Sequence, residues 1–329
     1  MSQLILIFPS TYSPKNMTKR ILILLQLFVL VHSFSEKSYG QMESALTQFM
    51  FNKQTINPAY AGMWGKSGFF SLVRKQWAGI NQTPVTQVFS FYTPIRTERV
   101  GVGLNVTVDR FGQEKKRGLS GDYAYEVALS PQTKLRLGMK CSMMSFKNSL
   151  TSLQLYDNTY DPAFGEDLEL NLLPNIGIGG ILYHENYYFS LSVPGMLRYD
   201  PGNNMNNFNV EMSAQTVYLD AGYLFRFLPG NFLMFKPTVM IACNRMFPLR
   251  YDLGINGLFR ERLWLGVLLR SGRAVSFLTQ WLIERKIRLG LAVDMNYHEL
   301  FPGWNGTYEV AVGIDLDFRN QRNARVRYF

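Results

Sequence analysis

At 329 residues the chain is long enough for one large domain, yet only 18% of its residues are charged, against ~25% in an average soluble protein. Aromatic residues reach 14%, mostly Tyr and Phe, and this combination fits a membrane barrel with interfacial aromatic girdles. The net charge of +10 is scattered along the chain, which argues against nucleic acid as a partner.

The first predicted element is a secretory signal peptide over residues 1–40. A basic flank precedes the apolar run Ile21–Val31, which is too short to span a bilayer as a helix but has the length of a signal core. We expect cleavage near the end of this segment and a true start at Met17. No stretch after it is long and apolar enough to predict a transmembrane helix.

Residues 41–65 follow as a predicted N-terminal periplasmic or plug-like segment. Asn57 stands before Pro58, which disfavours a helix and starts a turn, and Tyr60 supplies an anchor for packing. We expect this segment to tuck into or across the mouth of a barrel before the first strand begins.

The last two predicted strands show the clearest alternation. Every even-numbered residue from Tyr308 to Phe318 is apolar, the residues between them are small or charged, and residues 285–296 repeat the pattern. A period of two over ten or more residues indicates a strand, because successive side chains point to opposite faces. Strands of ~9–11 residues with one apolar face are what a transmembrane barrel requires.

The same pattern along the chain predicts an all-β fold, a transmembrane antiparallel β-barrel of about 14 strands over residues 66–319. No Pro-, Gly- or Ser-rich linker divides this region, and an even strand count lets the sheet close without an edge exposed to lipid. The predicted strands are residues 66–76, 84–93, 99–110, 118–130, 133–146, 173–185, 187–195, 211–227, 232–245, 249–260, 262–271, 274–283, 285–296 and 307–319.

The predicted connections alternate in length, although imperfectly. Those after even-numbered strands are short, whereas several after odd-numbered strands are long, at 111–117, 147–172, 196–210 and 297–306. Bacterial outer-membrane barrels have short periplasmic turns and longer external loops. We therefore expect the connections after odd-numbered strands at the cell surface and residues 320–329 as a short basic periplasmic tail.

Several motifs along the chain point to one family. The most specific are Gln48–Asn52 (QFMFN) and Ile56–Gly62 (INPAYAG), and weaker ones are Arg74–Trp77 (RKQW) and Ser192–Pro194 (SVP). In these motifs the chain resembles the PorP/SprF family of the type IX secretion system, from about residue 48 to 319. Gly306–Val310 reads GTYEV where the family usually has GSHEI, so no role specific to that histidine is carried over.

The resemblance implies an outer-membrane component of the type IX secretion and gliding-type machinery that anchors or assembles a secreted or surface-attached adhesin. It also implies contacts with periplasmic and outer-membrane components of that machinery. A passive diffusion porin is the main alternative, and a soluble two-sheet sandwich is a more distant one. The candidate partner-binding residues are Gln48, Phe49, Asn57, Pro58, Tyr60, Trp77, Arg319, Arg322 and Arg325.

Charged residues of both signs are predicted to face the lumen. They can pair across the lumen or line an ion-selective path, and mixed signs favour pairing. The predicted lumen charges are Lys134, Arg136, Lys140, Arg226, Arg260 and Arg288 with Asp109, Asp220, Asp252, Asp294, Glu309, Asp315 and Asp317.

No enzymatic activity, cofactor or metal site is expected from the motif inventory. The only histidines are His32, His184 and His298, and the sequence lacks the HExxH, GxSxG, CxxC and GxxxxGK patterns. Cys141 and Cys243 lie in strand-like runs, where we expect them to act as small hydrophobic side chains.

Overall fold

The computed structural model describes residues 46–95, 99–152, 166–197, 215–227, 231–244, 247–271, 274–284, 286–296 and 306–316. The predicted signal peptide and the predicted basic tail, with Arg319, Arg322 and Arg325, lie outside these residues. Within the described part of the chain, no helix has the length and apolar character needed to cross a membrane.

The described residues form fourteen antiparallel strands, with three short 3₁₀ helices before them and one between β5 and β6. The helices are Thr47–Phe51, Lys53–Thr55, Pro58–Tyr60 and Leu150–Ser152. The strands are β1 (Ser67–Lys75), β2 (Val85–Ile95), β3 (Val100–Phe111), β4 (Glu114–Ala128), β5 (Lys134–Asn148), β6 (Leu168–Tyr183), β7 (Tyr187–Val193), β8 (Val217–Tyr223 and Phe225–Arg226), β9 (Leu233–Asn244), β10 (Phe247–Phe259), β11 (Leu263–Arg270), β12 (Ala274–Ile283), β13 (Ile287–Asn296) and β14 (Thr307–Leu316).

The sheet closes on itself. Each strand pairs with the next one along the chain, and both parts of β8 pair with β9. The last strand then pairs with the first, in a register that runs from Ser67 opposite Leu316 to Lys75 opposite Tyr308. The predicted antiparallel barrel of about 14 strands is therefore confirmed, and no strand in this ring is left with an unpaired edge.

The two-residue alternation sets which side chains face outward. On β14, Thr307 and Glu309 are buried on the lumen side, whereas Tyr308 and Val310 are 43% and 53% exposed. The other strands carry comparably exposed Leu, Val, Ile and Phe side chains on their outer faces. The outer wall is thus largely apolar, as a wall in contact with lipid must be.

Two hairpins extend further than predicted. β4 begins at Glu114 rather than 118, and β6 begins at Leu168 rather than 173. The predicted connection 111–117 is in fact a two-residue turn at Gly112 and Gln113, in which Gly112 has a φ of +56°. The start of β4 is polar on both faces, so hydrophobic alternation did not reveal it. The start of β6 alternates, but a register shift between Leu170 and Leu173 interrupts the pattern before the rest of the strand.

The lumen is not uniformly polar, which differs from the prediction. Phe70 on β1 and Tyr92 on β2 point inward and belong to an apolar cluster with Phe49, Phe51 and Trp64 of the N-terminal segment. These inward apolar side chains contact the N-terminal segment and are buried by it. In an empty, water-filled lumen the same side chains would be exposed to solvent.

Candidate functional site

The N-terminal segment, residues 46–64, lies inside the barrel. All of its residues from Thr47 onward are buried except Thr55 and Ile56, which are half-buried. Its last 3₁₀ helix begins at Pro58, and the side-chain oxygen of Asn57 accepts a hydrogen bond of 2.9 Å from the backbone N–H of Ala59. Proline fits the first turn of a helix because the N–H that it lacks would have no partner there.

The segment crosses the lumen from one end of the barrel to the other. Thr47 lies beside Arg74, near the end of β1, whereas Trp64 packs edge-on against Tyr92 with ring centroids 5.5 Å apart. Tyr92 is paired with Gly68, near the start of β1. The segment therefore runs antiparallel to β1, and its first described residue lies at the end where the odd-numbered strands finish.

Carboxylates hold the first residues of the segment. Glu309 accepts hydrogen bonds from the backbone N–H groups of Thr47 and Gln48, at 2.6 and 2.8 Å. Arg74 lies 2.5 Å from the same carboxylate and 2.8 Å from Asp294, which also accepts a 2.6 Å hydrogen bond from the Thr47 hydroxyl. Charge-assisted bonds of this kind are about twice as strong as neutral ones.

A second arginine extends this network around the barrel. Arg270 on β11 lies 3.1 Å from Asp252 and 3.6 Å from Asp294, and it donates a 3.3 Å hydrogen bond to the carbonyl of Leu46. Arg74 and Arg270 thus share three carboxylates, those of Asp252, Asp294 and Glu309, around the start of the segment.

Lys53 forms the central contact of the segment. Its ammonium lies 2.5 Å from Asp220 on β8 and 3.7 Å from the centre of the Tyr188 ring, and Tyr188 donates a 2.8 Å hydrogen bond to Asp220.

Arg136 on β5 holds the second half of the segment. The guanidinium, which is fully buried, donates hydrogen bonds of 3.0 Å to the carbonyl of Ala59 and 2.6 Å to that of Ala61. It also lies 3.2 Å from Glu126, which accepts a 2.6 Å hydrogen bond from Tyr183. One arginine therefore fixes two backbone carbonyls of the segment against the wall.

Polar side chains on β5 and β7 complete the attachment. Lys140 donates a 2.8 Å hydrogen bond to the carbonyl of Thr55 and lies 3.6 Å from Asp122. The side-chain amide of Asn57 donates a 2.8 Å hydrogen bond to the hydroxyl of Ser190. The wall thus supplies both donors and acceptors to the backbone and side chains of the segment.

Glycines in the wall let the segment approach closely. A Cβ atom at Gly138 would overlap the backbone of Ala59, and one at Gly101 would overlap the carbonyl of Ala61. Both glycines face the lumen, so the fit depends on the absence of a side chain there.

The structure pairs most of the predicted lumen charges with a partner in the wall or in the segment. Arg226 and Arg260 are exposed, because they stand at the rim, where strands give way to turns, and Arg226 donates a hydrogen bond to the side chain of Asn186 there. Asp317 lies outside the described residues. The sequence analysis did not identify five further charged residues that face the lumen: Lys53, Arg74, Asp122, Glu126 and Arg270. The last four occupy inward positions of their strands, so the two-residue alternation could have revealed them, whereas Lys53 lies in the N-terminal segment, outside any strand.

The predicted partner-binding residues fall into separate places. Five lie together in the lumen and contact the barrel itself: Gln48, Phe49, Asn57, Pro58 and Tyr60. Trp77 is half-buried in the connection after β1, where its backbone N–H lies 3.4 Å from the Thr307 hydroxyl. Their role in partner binding stays a prediction. No cluster of His, Cys, Asp and Glu suited to a metal ion occurs among the described residues.

Comparison with known proteins adds a family and a set of fold neighbours. A family model described as type IX secretion system membrane protein PorP/SprF matches residues 38–314. No curated protein sequence matches the chain. Among solved structures, the chain is similar to the Acinetobacter baumannii outer membrane protein Omp33 at 8% identity and a TM-score of 0.44, over 78% of this chain and 100% of the other.

The TodX deltaS2S3 mutant monoaromatic hydrocarbon channel is also similar, at 8% identity and a TM-score of 0.48, over 86% of this chain and 96% of the other. The KdgM porin has 8% identity and a TM-score of 0.37, over 76% and 99%. At these identities and TM-scores, no ligand or role is inferred for this chain from the neighbouring structures.

Proposed function

Because the chain belongs to the PorP/SprF family of type IX secretion system membrane proteins, we propose that it is an outer-membrane barrel that anchors or assembles a secreted or surface-attached adhesin. Its other partners are periplasmic and outer-membrane components of the same machinery, which also serves gliding-type motility. The proposed role is to hold partners in place, without catalysis. The observation that carries the proposal is the family match over residues 38–314.

The occupied lumen supports an anchoring role over passive diffusion. A porin needs a water-filled path, whereas here the segment 46–64 is buried within the ring and bound by Arg74, Lys140, Arg136 and Glu309. A barrel with this interior offers its rims and its outer wall, rather than a channel, for interaction.

Co-purification tests the proposal directly. The tagged barrel, solubilised from the outer membrane under mild conditions, is expected to bring down type IX machinery components and the adhesin, identified by mass spectrometry. A tagged, unrelated outer-membrane barrel of similar abundance is the control. If the protein purifies alone under conditions that preserve the rest of the machinery, the proposal is wrong.

A deletion tests the side on which the adhesin is held. The connection predicted at 147–172 is shorter in the structure, because residues 147–148 and 168–172 belong to β5 and β6. Replacing residues 153–165, which lie outside the described residues, with a short Gly-Ser linker is expected to spare insertion and to weaken surface display of the adhesin. Unchanged display, measured by antibody labelling of intact cells, would count against this placement.

A further inference from the structure

A group of basic side chains on the outer wall has no part in the lumen network. Arg110 on β3, Lys115 and Arg117 on β4, and Lys147 on β5 form this group, which we call the basic patch. Strand pairing sets Arg110 directly opposite Lys115, and Lys115 directly opposite Lys147. Directly opposite residues share a face of the sheet, with Cβ atoms ~5 Å apart.

The basic patch faces away from the lumen. Leu119 follows Arg117 by two residues on the same face of β4 and is 50% exposed, and Met143 on the same face of β5 is 54% exposed. The alternate face of β4 carries Ser120 and Asp122, which are buried on the lumen side. The patch therefore borders the apolar outer wall at the end of the barrel where Gly112 turns the chain.

The charges of the patch are poorly balanced within the protein. Like charges directly opposite one another on neighbouring strands destabilise a sheet, and Lys115 has such a neighbour on both sides. Lys147 lies 3.7 Å from Glu169. Over the part of the chain that the structure describes, Arg110, Lys115 and Arg117 make no salt bridge. An anion from the surroundings would relieve this repulsion.

We propose that the basic patch binds the phosphate groups of a phosphorylated lipid in the leaflet next to it, independently of the secretion role. Arginine presents a planar fork that matches phosphate, and lysine extends its ammonium toward the headgroups while its stem lies on apolar surface. The site lies on the outer wall, directly beside Leu119 and Met143, where the acyl chains of the same lipid pack. This continuity with the lipid-facing surface favours a lipid over a soluble anion.

Native mass spectrometry of the full-length barrel in detergent tests this site, with monophosphoryl lipid A as the probe and phosphatidylcholine as a lipid without net charge. The triple variant Arg110→Gln, Lys115→Gln, Arg117→Gln is expected to bind lipid A about tenfold or more weakly than the wild type, since each basic residue near a charged membrane surface contributes to binding. Binding of phosphatidylcholine is expected to stay unchanged.

A matched variant separates the patch from net charge. The control is a second triple variant, with the substitutions Arg99→Gln, Arg262→Gln and Lys286→Gln. It removes the same charge from three exposed residues in separate turns at the opposite rim, and it is expected to bind lipid A as the wild type does. The single variant Lys115→Gln, which removes the charge common to both opposed pairs, is expected to lose about threefold, and it serves if the triple variant does not fold.

Three results would overturn the proposal. The first is that the wild type, the triple patch variant and Lys115→Gln bind lipid A equally. The second is that the opposite-rim variant loses as much lipid A binding as the triple patch variant does. The third is preferential binding of a soluble polyglutamate peptide over lipid A, which would assign the patch to an acidic protein partner.

Discussion

Arg136 shows how a single buried side chain can hold two parts of a fold together. It is fully buried, and it joins β5 both to the N-terminal segment and to Glu126. Lys134 reaches the same carboxylate at 3.1 Å but is 25% exposed. The two residues therefore differ in burial and in contact with the segment while sharing one acidic partner.

Replacing Arg136 with Met is expected to destabilise the barrel by about 3–5 kcal/mol, because the buried carbonyls of Ala59 and Ala61 lose their donor and Glu126 loses one of its two cations. Lys134→Met is the matched control and is expected to cost about 1 kcal/mol or less, since water screens the partly exposed ammonium. Urea unfolding of the protein in detergent, followed by gel mobility, measures both. Equal losses would show that contact with the segment contributes nothing.

Lys53 and Asp220 form a pair whose members depend on each other. Lys53→Met removes the ion-pair partner of the buried Asp220 carboxylate, which keeps the hydrogen bond from Tyr188 and the nearby charge of Lys236, and Asp220→Asn leaves a buried ammonium. We expect each single variant to lower the free energy of unfolding, and the double variant to lose less than the sum by about 0.5–3 kcal/mol. Additive losses in the same urea experiment would mean that the two side chains act independently.

At the scale of elements, the strand pattern depends on what lies on each side of the wall. Where a strand separates lipid from lumen, as in Thr307–Leu316, the alternation is regular and the sequence predicts the strand well. The extension Glu114–Arg117 has polar residues on both faces, and main-chain hydrogen bonds continue the ladder there. Leu168–Leu172 does alternate, but a register shift before Leu173 changes the phase, so this start does not join the alternation of the rest of β6. Their start points could not be read from hydrophobicity.

The seating of the N-terminal segment is expected to depend on glycine in β5. Gly138→Val would place a branched side chain where the backbone of Ala59 lies, so the segment is displaced while the strand ladder is kept. The experiment measures hydrogen exchange of residues 46–64, and we expect faster exchange in this variant.

Gly121→Val is the control for that substitution. Gly121 is on the outer face of the neighbouring strand β4, and a Cβ atom there would meet nothing within 4 Å. Valine also favours a strand, so this variant is expected to leave the exchange of residues 46–64 unchanged. Equal exchange in both variants would mean that close approach to Gly138 is not what seats the segment.

At the scale of the whole molecule, the protein is a ring closed by the pairing of its first and last strands around a segment of its own chain. The first described residue of that segment, Leu46, lies at the end of the barrel opposite to Leu316, the last residue of β14. One end of the barrel thus carries the start of the segment, and the other carries the last residue of the ring.

The wild-type barrel is expected to show no steady conductance in planar bilayers, because residues 46–64 occupy the lumen. Deleting these residues is expected to open an ion path lined by the freed charges of Arg74, Asp220 and Arg136. Heat-modifiable gel mobility first confirms that the deletion variant is folded. A folded variant that remains ion-tight would show that the wall collapses inward or that the remaining chain blocks the path.

The sequence by itself determined the number of strands, their outward and inward faces and the family motifs, because a wall between lipid and protein imposes a two-residue period on every strand. Only the tertiary structure decided how the N-terminal segment is held. The hydrogen bond between Thr47 and Glu309, for example, joins residues 262 positions apart. Such contacts arise when ring closure brings distant strands around one segment, and no local pattern encodes which charges then meet.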